Sequence, residues 1–333
     1  MLKKILLIIS LLMSCAYAEN SAVFIMYHRF GESRYPSTNV TLPQFQAQMH
    51  ELNAGGYHVM PVPDIITALK SGKPLPNNTV GITIDDAYES VYTKAWPILQ
   101  HYHFPFTLFV ATGPIDKRFG DMMTWPQIKA LAKAGVTIGN HTDTHTYLIN
   151  GDIKQAQADI EKSQQRLNDE LGQAPSLFAY PFGESSPALQ RVVKNLGFTA
   201  AFSQVSGAAG EASDYYALPR FPLNEHYSDM DRFQLITKTK PLIITQLKPK
   251  SNLVVDNPPQ IQFTVDKNID TKKLACYATG QGRVVLIIAQ QHIRLMLNKL
   301  THRRTHINCT VPTTDGHWRW LGLMYTLPTI KVS

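Results

Sequence analysis

The feature that most constrains this chain is an apolar run that stops on two acids: Thr79-Val80-Gly81-Ile82-Thr83-Ile84, then Asp85-Asp86. The run alternates as a strand does, so the two carboxylates emerge at a strand's carboxyl end. In α/β barrels that end is where active sites are built. Downstream, His141-Thr142-Asp143-Thr144-His145 adds two imidazoles. Two histidines and an acid supply three metal ligands with a carboxylate to spare, an inventory suited to metal-assisted hydrolysis.

The same grammar repeats up to about residue 225. Apolar runs at Ala22–His28, Thr79–Asp86, Pro105–Gly113, Gly135–His141, Leu177–Phe182, Phe198–Gln204 and Tyr216–Pro222 alternate with amphipathic helical patterns. In Asp152–Leu171, for example, Ala156, Ile160, Leu167 and Leu171 recur at helical spacing and Gly172 ends the pattern. Strand and helix in alternation imply a parallel sheet, and seven strands fit a barrel better than an open sheet. Around Lys240 the pattern changes. Gln260–Val265, Lys273–Thr279, Arg283–Ala289, His292–Asn298, Thr305–Val311 and Trp318–Leu327 are strand-like runs separated by turn signals, and Pro249, Pro258 and Pro259 mark the entry. The expectation is an α/β chain: a distorted (β/α)7 barrel over residues 19–240, then a small all-β sandwich over 241–333.

Residues 1–18 read as a signal peptide, with Lys3 and Lys4 before the apolar run Ile5–Met13 and a small-x-small site at Ala16-Tyr17-Ala18. Export to the periplasm or medium follows. An overlapping lipoprotein signal, Leu12-Met13-Ser14-Cys15, leaves anchoring through an acylated Cys15 as the alternative. Removal of the segment leaves Cys276 and Cys309, an even pair in an oxidising compartment, read as a disulfide, with two buried thiols as the other reading. The formal charge of +7 falls to +5 without Lys3 and Lys4. This diffuse excess suits an anionic wall or polymer and argues no nucleic-acid partner.

Each motif alone has an ordinary reading. An acid at a strand end commonly caps the next helix, and histidines in a Thr-rich loop commonly only hydrogen-bond. The fourfold spacing of His141 and His145 lacks the glutamate of a zincin helix, and Gly139-Asn140 favours a loop. That loop, at the carboxyl end of its strand, places both imidazoles on the barrel face of Asp86, and the coincidence carries the argument.

Thr-Ile-Asp-Asp, His-Thr-Asp-Thr-His and Tyr180-Pro181-Phe182-Gly183, in this order, resemble successive motifs of the polysaccharide deacetylase (NodB-homology) family of carbohydrate esterases. The resemblance covers about residues 22–225. Met26-Tyr27-His28 resembles the opening strand of its poly-N-acetylglucosamine deacetylase branch. It implies that Asp86, His141 and His145 bind one divalent metal ion, with Zn2+ the default and Co2+ or Ni2+ alternatives. Asp85 would be the general base, the Phe182 backbone N–H the oxyanion donor, and Tyr180 and Pro181 parts of the substrate site.

The sequence departs from the family in places. The late Leu-x-His motif that supplies the acid is not evident; His28, ending the first strand, is the substitute, and His226 the rival. Ala179 replaces the arginine that orients the base, a task open to Arg220. Tyr88 and Trp125 would offer faces for a sugar ring, Trp125 being equally readable as a core aromatic. Lys299, His302, Arg303, Arg304 and His306 form a basic cluster, read as a solvated hairpin or as a hold on an anionic wall polymer.

The implied activity is N-deacetylation of an acetylated amino-sugar glycan such as peptidoglycan, poly-N-acetylglucosamine or a chitin-like chain. Hydrolysis of O-acetyl esters or a non-sugar amide, and a glycan-binding protein with a decayed site, are the alternatives.

Overall fold

The computed structural model describes residues 20–328, the side chain of Asn150 apart. The expected signal segment and Cys15 lie outside them. Strands β1 (Ser21–Tyr27), β2 (Thr79–Asp85), β3 (Phe106–Val110), β4 (Thr137–Asn140), β5 (Leu177–Ala179) and β6 (Ala200–Phe202) pair in that order, all parallel. A seventh, β7 (Phe221–Pro222), pairs with β1, and Leu218 just before it bridges to Phe202 of β6. The segment 218–222 thereby closes the barrel. Distortion is visible on β1, whose amino-terminal half gives the same edge to an antiparallel strand, Ala208–Gly210.

The apolar runs reflect burial on both faces of the sheet, as crossover helices require. On β1, Val23, Ile25 and Tyr27 share a core with Phe45 and Met49 of the helix Leu42–Ala54. Ala22 and Phe24 pack the other way, with Phe109, Phe202 and Ile65 of the helix Val62–Ser71. The helix Ile153–Leu171 begins where the sequence places it. Asp152 caps it by accepting from Lys154 N, and Gly172 ends it in the left-handed conformation.

The second, all-β domain is a single continuous sheet of eight strands rather than two sheets without hydrogen bonds between them. The six expected runs are present. Two further strands, Lys240–Pro241 and Ile244–Lys248, flank the sheet; one contains proline and the other a register shift, so neither shows period-two alternation. One face encloses a core that includes Ile261, Phe263, Ile293 and Ile307.

The domains are docked closely. Trp320 sets its ring edge-on to Phe221 of β7 at 5.2 Å, and a Cβ on Gly322 would lie 2.1 Å from the Ser206 carbonyl oxygen. Only glycine permits that approach.

Cys276 and Cys309 face each other on neighbouring antiparallel strands, buried, and form a disulfide with a Cα–Cα distance of 4.0 Å. The bridge spans 33 positions, and closing such a loop is worth roughly 3–4 kcal/mol on the chain-entropy account. Cys276→Ala/Cys309→Ala should lower the denaturation midpoint of the second domain accordingly. An unchanged midpoint would mean that the bridge contributes nothing in solution.

Candidate active site

β2 is buried throughout its length, and Asp85 at its end is wholly enclosed. A carboxylate out of water must be paired. Its partner comes from the chain just before β7: Arg220 Nη1 and Nη2 donate to Asp85 Oδ1 and Oδ2 at 2.7 and 2.8 Å. The fully buried guanidinium also donates from Nε to the Ser203 carbonyl at 3.0 Å and from Nη1 to Thr83 Oγ1 at 3.3 Å. Burial alone would raise the Asp85 pKa, but Arg220 and His141 outweigh it and hold the carboxyl below its ordinary value. The group is therefore ionised at neutral pH.

Along a strand, consecutive side chains point to opposite faces. Asp86 escapes that rule because it and Ala87 adopt left-handed backbone, φ +75° and +64°. Thr142 and His145 are also left-handed, so backbone strain gathers around these residues. His141 follows β4 directly. The loop beyond it is pinned by Asn140 Oδ1, which accepts from Thr142 N at 2.8 Å, and by Thr142 Oγ1, which accepts from His145 N at 3.0 Å.

His141 Nε2 and His145 Nε2 lie 3.4 and 3.1 Å from Asp86 Oδ1, and the three possible ligand atoms are all within 4.8 Å of one another. The Ala179 carbonyl lies 2.7 Å from His141 Nδ1. A carbonyl only accepts, so Nδ1 carries the hydrogen, and in the neutral ring the lone pair is on Nε2, facing the cluster. Asp86 Oδ1 and His141 Nε2 are both buried without a hydrogen-bond partner. Convergent, orphaned nitrogen and oxygen atoms fit a divalent cation. Burial works against ionisation of Asp86, yet the two imidazoles hold its carboxyl well below the usual range. Burial likewise depresses His145, and Asp86 more than offsets it, raising that pKa.

His28, just past β1, is half-buried beside these groups. Burial lowers its pKa, against the pull of Asp86 and Asp85. His226 is exposed in the turn after β7. Pro181 and Phe182 form a tight turn after β5, with Phe182 at φ +59° and its ring 4.8 Å from that of His145. Gly183 at φ +71° completes the turn; a Cβ there would lie 2.3 Å from the Gln204 amide nitrogen.

Several expected contacts need correction. Tyr180 and Pro181 are buried, and the Tyr180 hydroxyl donates to the Tyr216 carbonyl at 3.0 Å, so the Tyr180 ring belongs to the core and cannot meet a substrate. Trp125 is tied down instead of open: Nε1 donates to Asp116 Oδ1 at 2.7 Å, and the Arg166 guanidinium lies 4.6 Å from its ring. Tyr88 is beside the site, but the Arg29 guanidinium already occupies its ring at 3.4 Å. Burial raises the Tyr88 pKa and Asp86 adds to the rise, keeping the phenol protonated. Tyr147 was not marked by the sequence. It is partly exposed and stacks on Phe182 with ring centres 4.1 Å apart, and a lone tyrosine in a polar loop gives no periodic signal.

Fold and site define a seven-stranded (β/α) barrel with an Asp-His-His cluster and an arginine-held carboxylate at its carboxyl face. Residues 72–201 match the family model described as polysaccharide deacetylase. The poly-beta-1,6-N-acetyl-D-glucosamine N-deacetylase of Staphylococcus aureus (strain MSSA476) is 27% identical over 235 residues, 63% of this chain and 81% of that protein. Among solved structures, the deacetylase PplD of Streptococcus pyogenes in complex with acetate superposes with a TM-score of 0.61 at 21% identity, over 66% of this chain and 99% of that one. IcaB from Ammonifex degensii gives 0.59 at 24% identity, over 66% and 97%. His28 and Arg220 lie outside the residues that match the family model.

Arg220→Met would leave Asp85 buried without the partner that lowers its pKa most. Loss of one member of a buried pair typically costs about 3–5 kcal/mol of stability. The sign for pH is fixed by the depressed Asp85 pKa. The pair's contribution is present above the ordinary carboxylate value and lost as pH falls through the folded one. In the variant, burial acts with weaker opposition, so Asp85 titrates at higher pH. A carboxyl titration of Asp85 followed by NMR should move upward; an unmoved value would show that Arg220 does not control it.

Proposed function

We propose that the protein hydrolyses N-acetyl groups on an N-acetylhexosamine-containing polysaccharide, releasing acetate and leaving a free amine. The observation that carries this reading is the juxtaposition of the convergent Asp86–His141–His145 ligand atoms, two of them buried without a hydrogen-bond partner, with an ionised, arginine-held Asp85. Asp86, His141 and His145 would hold one divalent ion, Zn2+ first, with Co2+ and Ni2+ as alternatives. Such an ion supplies Lewis acidity and lowers the pKa of a coordinated water to about 7.

The chain's own groups divide the remaining work. Asp85 takes a proton from the attacking water, with Arg220 holding both carboxylate oxygens so that the base keeps one orientation. The Phe182 N–H, aimed by the fixed ring of Pro181 and the left-handed turn, donates to the oxygen that gains charge as the acetyl carbonyl is attacked. His28 gives its proton to the departing amine nitrogen as the C–N bond breaks. Its lowered pKa makes the protonated form scarcer as pH rises, so amide turnover falls on the alkaline side. The substrate to try first is poly-β-1,6-linked N-acetylglucosamine, which the staphylococcal relative's name gives; peptidoglycan and chitin-like oligomers come next. Action on envelope glycans after export, as a periplasmic or secreted protein, is part of the same reading.

Zinc-loaded protein should release acetate from one of these glycans, lose activity to a chelator, and recover it with Zn2+. Asp85→Asn should remove turnover while retaining metal. Absence of release by metal-loaded wild type from every N-acetyl glycan, with hydrolysis of O-acetyl esters, would reassign the substrate. Absence of both would leave a glycan-binding protein.

His28→Asn separates proton donation from binding. An amine is a poor leaving group and an aryl alcohol a good one. The variant should lose roughly 10²–10⁴-fold in amide turnover but keep most hydrolysis of an aryl acetate. Equal losses on both would remove His28 as the acid.

A further inference from the structure

The basic cluster at residues 299–306 is not a uniformly solvated hairpin. Lys299 and His302 are exposed, but Arg303 and Arg304 reach back to the barrel domain, onto the turn that follows β5. Arg304 donates from Nη1 to the Phe182 carbonyl at 3.2 Å. Arg303 donates from Nη2 to Glu184 Oε2 at 2.7 Å, and the Glu184 side chain is fully buried. The Arg303 guanidinium also lies 4.3 Å from the centre of the Tyr147 ring. Tyr147 stacks on Phe182, whose ring in turn meets His145. The second domain thus touches the site at the residue whose backbone is left-handed, and through one ring contact it reaches a metal-type ligand.

These contacts are not part of the seam at which Trp320 and Gly322 meet the barrel. There Trp320 meets Phe221 and Gly322 lies against Ser206. Nor do the arginines extend into solvent as a wall-binding patch would, since the Arg303 side chain is 26% exposed and the Arg304 side chain 34%. A carbonyl fixed from one side fixes the peptide plane on that side. Donation to the Phe182 carbonyl and to the Glu184 carboxylate brackets Gly183, leaving the turn little freedom to relax toward ordinary backbone.

We propose that Arg303 and Arg304 are positioning residues for deacetylation, supplied by the second domain to hold the Phe182–Glu184 turn in the form that presents the oxyanion donor. The proposal rests on the deacetylase reading and on the role given there to Phe182. It makes the barrel's site complete only with the second domain in place.

The test uses the full chain loaded with zinc. Arg304→Met removes the donation to the Phe182 carbonyl, together with the approach of Nε to Glu184 Oε1 at 3.9 Å. Arg303→Met/Glu184→Gln removes the Arg303–Glu184 pair without stranding a buried carboxylate. For each, kcat and KM are measured for acetate release from N-acetylglucosamine oligomers, and amide hydrogen exchange is followed across residues 180–184. A misplaced donor is expected to cost about 10–100-fold in kcat with KM nearly unchanged, together with faster exchange in that segment and unchanged exchange in β2. Arg304→Lys, which keeps a donor, should recover much of the loss. A raised KM with intact kcat would overturn the proposal in favour of direct substrate binding. Unchanged exchange would overturn it outright. Wild-type protein that releases no acetate would refute the deacetylase reading instead, and the exchange result would still decide whether the arginines hold the turn.

Discussion

The fully buried pair between Arg220 and Asp85 is the interaction on which the rest of the site depends. Arg220 lies on the segment that closes the barrel, between the Leu218 bridge to β6 and the pairing of β7 with β1. Its guanidinium meets groups contributed by β2 and by the residue after β6. A buried guanidinium is tolerable only when its donors are satisfied, and these partners come together only in the closed barrel. Closure and the pairing of Asp85 are therefore one event. Closing the barrel takes the carboxylate out of water, and the same step brings up the guanidinium that offsets this burial.

Asp85 and Asp86 are neighbours in sequence with different environments. Asp85 ends a regular strand and faces the guanidinium. Asp86 begins an irregular bend and faces two imidazoles. The left-handed backbone at Asp86 and Ala87 separates these roles at a cost of order 1–3 kcal/mol per residue. The surrounding structure offsets it: Ala87 is wholly buried, and its carbonyl accepts from Met123 N at 2.9 Å. Strain of this kind persists where packing over-determines it, and here it converts one strand end into two chemically distinct sites.

Much of this was legible in the sequence because it is periodic or local. Both-face burial leaves continuous apolar runs, as in β1 and β2, and the helix ending at Gly172 carries its cap and its stop in the chain itself. Asp86, His141 and His145 come to one face because strand ends in a parallel barrel share it, and the left-handed bends at Asp86, Thr142 and His145 then bring the side chains together. Side-chain direction after a strand was not legible. Tyr180 is adjacent to Pro181 in the motif, yet strand alternation turns its ring into the core with Phe178 and Phe198. Trp125 is captured by Asp116 and Arg166, nine and 41 positions away, a pairing that no local pattern announces. The same holds for Arg303 and Arg304, whose partners are more than a hundred positions distant.

The second domain illustrates how function can attach to a docking geometry. Its sheet is stabilised by its own core and its disulfide, and it meets the barrel through Trp320 and Gly322. The strand holding Arg304 is the neighbour of the strand holding Trp320, with Thr310 opposite Trp320 in register. Once Trp320 seats on β7, the position of the adjacent strand is fixed, and its first residue falls beside the Phe182 turn. A rigid sheet thus transmits the docking of one aromatic side chain to a backbone carbonyl at the site. Changes at Trp320 or Gly322 therefore bear on the Phe182 turn through strand geometry, even though neither residue touches it.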